Sequence, residues 1–201
     1  MAARCLVFAL VCSALTVPAW AGHTLTAQEQ KVLQSWLAYH AEYRAATDED
    51  CDCADDIQQM KAGFGGVWKP VSDYHPYAAT GDFNGDGVED FAVAVVDRSK
   101  QEKNFALVVF NGPFKLESAS PAFLEAGLEL RSYGLFYGPP RPKPYRLLVG
   151  RFESDSGSLL IPQGHGYRLG DSGGLRAARL RLTPRAGSIG AERCLRHRDG
   201  V

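Results

Sequence analysis

The sequence predicts an α+β fold in which an N-terminal amphipathic helix packs on a mainly antiparallel, blade-like β-sheet. Three observations carry that prediction. A capped segment starting at Thr26 repeats apolar residues every three or four positions. Two short, wholly apolar runs rich in β-branched and aromatic residues follow from Phe91. Proline and glycine clusters then punctuate several further short apolar segments.

The helix opens with Thr26-Ala27-Gln28-Glu29, a capping box in which the threonine oxygen accepts from the Glu29 amide and the glutamate reaches back. Leu33, Trp36, Leu37, His40 and Tyr43 form its apolar stripe, and the helix is expected to end near Ala46. On that stripe His40 is expected as a hydrogen-bonded core residue. The acidic run from Asp48 to Asp56 predicts a solvated loop. A short helix over Ala54 to Ala62 follows, broken by Gly63, Gly65 and Gly66. Trp68-Lys69-Pro70-Val71 and Tyr74-His75-Pro76-Tyr77 predict extended segments that cap the end of a sheet.

Phe91 to Val96 and Phe105 to Phe110 predict a hairpin, separated by a charged stretch and closed by Asn111-Gly112-Pro113. Further strands are expected at Leu128 to Phe136, Tyr145 to Phe152, Ser158 to Ile161 and Gly166 to Leu169. The run from Gly138 to Pro144 holds four prolines, which a strand interior does not accommodate, so a stiff loop is expected.

Residues 1–21 have the pattern of a secretory signal peptide. Arg4 supplies the positive start, Cys5 to Val17 carries no charge, and Ala19-Trp20-Ala21 offers small residues for cleavage. The apolar run is short of the roughly 20 residues a membrane span needs. No membrane span is expected after cleavage, and the destination is periplasmic or secreted. Residues 22–174 are expected to form the α+β domain, carrying a net charge of −7. Residues 175–201 form an Arg-rich tail of +5, expected to be of low order. The whole chain is near neutral at −1, so no global basic field exists to hold nucleic acid.

Signal cleavage leaves three cysteines, Cys51, Cys53 and Cys194. In an oxidising compartment one disulfide among them is expected. A bond between Cys51 and Cys53, or from either to Cys194, satisfies the count. No second closely spaced Cys or His pair accompanies them to make a zinc site.

The segment that carries chemistry is Asp82-Phe83-Asn84-Gly85-Asp86-Gly87-Val88-Glu89-Asp90. Calcium is a hard cation that takes about six to eight oxygens, including carbonyls and water. Asp82, Asn84 and Asp86 occupy alternate positions of a loop that can wind around such an ion. Gly87 permits the sharp turn, Val88 offers its carbonyl, and Asp90 closes the set. An EF-hand needs an acid at position twelve and flanking helices; position twelve is Val93, and an apolar strand follows. Asp82 through Val93 resembles the calcium loop of FG-GAP/VCBS repeats, which build the blades of integrin-like β-propellers. The resemblance covers about a dozen residues and implies Ca2+ held by Asp82, Asn84, Asp86, Val88 through its carbonyl, and Asp90. One copy occurs, whereas a propeller needs at least about four blades, so a full propeller is not expected.

Other candidates have bland explanations. Gly170-Asp171-Ser172-Gly173-Gly174 spells the nucleophile segment of trypsin-like proteases, without the histidine context that chemistry requires. Asp73 with His75, and Glu153 with Asp155, sit two residues apart, where strand side chains share a face. The function expected is an exported calcium-binding structural or binding module of the cell envelope, without catalysis. Its partner would be a protein or a glycan. The alternative is a small secreted hydrolase using Asp73 and His75 or the calcium site.

Overall fold

The computed structural model describes residues 25–63, 70–114, 119–138 and 143–171. Among these described residues, two α-helices and two antiparallel sheets build an α+β fold, neither a closed barrel nor a propeller. The signal segment, Trp68, Lys69, most of the proline-rich loop, Cys194 and the Arg-rich tail lie outside the described residues.

Helix α1 (Ala27–Tyr39) begins with the predicted capping box. Thr26 Oγ1 accepts from the Glu29 amide at 3.3 Å, and Glu29 Oε2 accepts from the Thr26 amide at 2.6 Å. The helix stops earlier than expected. His40 is its C-cap, and Tyr43–Ala45 is strand β1, paired antiparallel with Val95–Asp97. Ladder bonds to an open strand edge outweigh another helical turn here. His40 is half-exposed rather than in the core, stacked on Trp36 at 4.4 Å and bonded to Glu42. Tyr43 also stacks on Trp36, at 5.6 Å. The sequence spacing that suggested a long helix thus reflects a contact made after the chain has turned.

Helix α2 (Ala54–Ala62) has the predicted bounds. Just before it, Cys51 and Cys53 are joined in a disulfide, with both side chains buried. The acidic run around them holds a 3-10 turn over Asp48–Asp50.

The first sheet contains β1, β2 (Ala78–Gly81), β3 (Asp90–Asp97), β4 (Phe105–Phe110) and β5 (Phe123–Leu128). Strands β1 and β2 share one edge of β3, end to end. The join is at Ala94, whose carbonyl accepts from Ala46 and whose amide donates to Tyr77. The second sheet is a meander of β6 (Tyr133–Phe136), β7 (Leu148–Arg151), β8 (Gly157–Gln163) and β9 (Gly166–Asp171). The single strand expected over Leu128 to Phe136 is therefore two. A turn at Arg131-Ser132 hands the chain from one sheet to the other, with Ser132 at a φ of 59°.

Every residue of β3 and β4 is buried because both faces of the first sheet are covered. On one side Phe91, Val93, Val95, Ala106, Val108 and Phe110 meet Val32, Leu33 and Trp36 of α1. On the other, Ala92, Ala94, Val96, Phe105, Leu107 and Val109 meet Leu135, Val149, Leu160 and Tyr167 of the second sheet. The order is helix, sheet, sheet. Among the described residues, no helix is long and apolar enough to cross a membrane.

Candidate metal centre

The loop from Asp82 to Glu89 joins β2 to β3, so the ladder between those strands fixes both of its ends. Its winding follows from local chemistry. Gly85 and Gly87 both adopt a φ of 84°, the left-handed conformation that glycine enters without strain. Those turns aim backbone amides inward. Asp82 Oδ1 accepts from Gly85 at 2.6 Å and Asp86 at 3.0 Å, and Oδ2 accepts from Gly87 at 3.0 Å. Asp86 Oδ1 accepts from Val88 at 2.8 Å, and Asn84 Oδ1 accepts from Asp86 at 2.8 Å. Asn84 Nδ2 donates to Asp86 Oδ2 at 2.9 Å. Asp82, Asn84 and Asp86 are thereby drawn into one short turn. Val88 lies exposed on its outer side.

Asp90 behaves differently. Its side chain is fully buried at the base of the loop. Oδ2 accepts from the Phe83 amide at 2.8 Å and Oδ1 from the Gly112 amide at 3.1 Å. Burial pushes its carboxyl above the ordinary range; the amides of Phe83, Gly112 and Asn84 oppose that shift, and the Asp86 carboxylate adds to it. No cation faces Asp90 among the described residues, so backbone amides carry the compensation.

Two tyrosines from beyond the first sheet complete the surroundings. Tyr137, just after β6, donates to the Asp82 carbonyl at 2.7 Å, and its ring packs edge-on against Phe83 at 5.2 Å. A Cβ at Gly81 would overlap that ring, so glycine is what lets Tyr137 approach. Tyr167 of β9 donates to Asn111 Oδ1 at 2.6 Å and lies 3.3 Å from Asp90 Oδ2. Sequence reading missed Tyr137, Tyr167 and the role of Asn111-Gly112. Their partners are 22 to 77 positions away, and no local pattern marks them.

Among the described residues, no three His, Cys, Asp or Glu side chains form a metal-holding group by themselves. The loop offers two carboxylates and an amide oxygen in one turn, with the third carboxylate beneath. Every donor is a hard oxygen, which suits calcium and does not suit a soft metal.

The remaining candidates lie elsewhere. His75 Nδ1 meets Asp48 Oδ1 at 2.7 Å, and Lys61 Nζ approaches Asp48 Oδ2 at 3.8 Å. This half-exposed cluster ties the 3-10 turn and α2 to the segment before β2, while Asp73 is exposed. Glu153 and Asp155 are both exposed in the turn between β7 and β8, not on a strand, so strand alternation does not orient them toward one face. Gly170 and Asp171 end β9, and Ser172 to Gly174 lie outside the described residues.

Compared with known proteins, the chain matches no family model, no curated protein and no solved structure. The likeness to FG-GAP/VCBS repeats therefore rests on the loop residues alone.

Proposed function

We propose that the protein is an exported calcium-binding structural or binding module of the cell envelope, in which the ion rigidifies the β2–β3 edge of the first sheet. The observation that carries this reading is the loop itself. Asp82, Asn84 and Asp86 sit at alternate positions and fold into one turn whose amides orient their oxygens. These side chains would hold Ca2+, with the Val88 carbonyl, Asp90 and water as the further oxygens of the set. The ion would supply positive charge where Asp82, Asp86 and the buried Asp90 lie close in sequence, and binding would add to folding stability. The signal-like N-terminus and the Cys51–Cys53 disulfide support an oxidising, exported setting. The reading leaves the partner as a protein or glycan of the envelope.

Thermal unfolding tests it. Calcium in about hundredfold excess over its dissociation constant should stabilise the protein by about 3 kcal/mol, a rise of several degrees in Tm. Chelator should reverse the rise, and Asp86→Ala should abolish the response. An unchanged midpoint with calcium in the unsubstituted protein rejects the site.

A further inference from the structure

The loop is braced from the opposite sheet. Its first carbonyl, that of Asp82, is held by Tyr137, and the carboxylate beneath it, that of Asp90 at the start of β3, is touched by Tyr167. Both tyrosines belong to the part of the chain that forms the second sheet, whereas the loop connects two strands of the first. Tyr167 also bonds Asn111 just after β4, so one hydroxyl bridges β3 and β4 at the loop end of the pair. Elsewhere the contact between the sheets is mainly apolar, with the Leu135 amide of β6 donating to the Pro76 carbonyl at 2.7 Å before β2. These two hydroxyls are directional, and they meet the chain at the two ends of the wound loop, at Asp82 and at Asp90.

We infer that the loop and the second sheet form one linked unit. Tyr137 and Tyr167 are positioning residues that hold the loop in its ion-competent shape, and cation binding in turn tightens the docking of β6–β9 on the first sheet. The inference rests on the calcium reading and extends it to regulation of that site. The physical reason is reciprocity. Repulsion among Asp82, Asp86 and Asp90 opposes the wound loop that meets the tyrosine hydroxyls, and a bound cation would offset that repulsion. A ligand that favours the wound loop favours the tyrosine contacts by the same free energy, and loss of those contacts must weaken the ligand equally. Helix α1 covers the other face through Val32, Leu33 and Trp36, whose apolar packing should not sense the ion, while Glu29 in its first turn feels the Glu89 carboxylate of the loop.

Two measurements on the full chain test this: calcium titration by calorimetry, and amide hydrogen exchange with calcium chloride or with chelator. Calcium should slow exchange in the loop and across β8 and β9, and leave α1 beyond its first turn unchanged. Tyr137→Phe and Tyr167→Phe, which keep the ring and remove only the hydroxyl, should each weaken calcium affinity about three- to tenfold, as loss of one hydrogen bond predicts. A hydroxyl that serves only folding would lower the melting point without moving the affinity. If calcium protects the loop while β8 and β9 do not respond and both variants bind as tightly as the unsubstituted protein, the linkage is wrong and the calcium site stands. If no binding heat and no loop protection are seen, the calcium reading fails and the linkage fails with it.

Discussion

The two faces of the β3–β4 pair are buried by different means. Toward α1 the contacts are hydrophobic and aromatic, with Phe91 stacked on Phe110 at 4.8 Å and Trp36 edge-on to Phe110 at 6.3 Å. Toward the second sheet an equally apolar core is bordered by a polar rim of Asp90, Asn111, Tyr167 and Tyr137 that reaches the loop. The contrast teaches where solution conditions can act. Apolar packing responds little to ions, whereas a rim of oriented oxygens around an acidic loop responds to anything that neutralises the charge.

The largest effect expected is on the helix side. Trp36 is 3% exposed and touches Phe110 of β4, Tyr43 of β1 and the C-cap His40, so Trp36→Ala should cost about 3–5 kcal/mol by denaturant unfolding. Calcium should stabilise that variant by the same amount as the unsubstituted protein. A smaller calcium effect in the variant would show that the two faces are coupled, and would break the contrast. Next in size is the calcium response itself, about 3 kcal/mol at hundredfold excess and lost in Asp86→Ala.

Smaller effects sharpen the picture at the margins. Thr26→Ala removes the capping hydroxyl of α1 and should cost about 1 kcal/mol, read as a lower denaturant midpoint with or without calcium. The smallest involves the Arg44–Asp50 pair, which links β1 to the 3-10 turn with contacts of 2.7 and 2.6 Å. Burial acts to raise the Asp50 carboxyl, but the Arg44 fork and the Thr47 amide outweigh it, and the group titrates below its ordinary value. Because its folded pKa is depressed, the stabilisation is present above about pH 4 and is lost as pH falls through the folded value. Arg44 is about one-third exposed, so solvent screening limits the effect to below ~1 kcal/mol. Asp50→Asn should flatten the acid limb of a stability-versus-pH curve by that amount, and the slope should be indifferent to calcium.

Much of the fold was legible because its determinants are short-ranged. The capping box, the bounds of α2 and the run from Phe105 to Phe110 each depend on residues within a few positions. The misreadings share a cause. Tyr43–Ala45 looked helical because Trp36 and Tyr43 do meet, but the segment left α1 to pair with β3. Strand β2 and most of β5 carry weak local patterns and exist because β3 and β4 present edges for them. The division of Leu128 to Phe136 between two sheets depends on a turn that has no proline or glycine to announce it.

In the candidate site, the sequence alone determined the inventory: oxygen side chains at alternate positions, glycines where the chain must turn left-handed, and an apolar strand to follow. It also determined the apolar content of β3 and β4, since composition and spacing are properties of a few adjacent residues. Tertiary structure decided the rest: Asp90 beneath the loop rather than beside its companions, a second sheet on the far face, and two tyrosine hydroxyls reaching across. Those contacts close over 55 to 77 positions of chain. The free energy that selects them comes from packing two sheets together, which no local pattern of residues records.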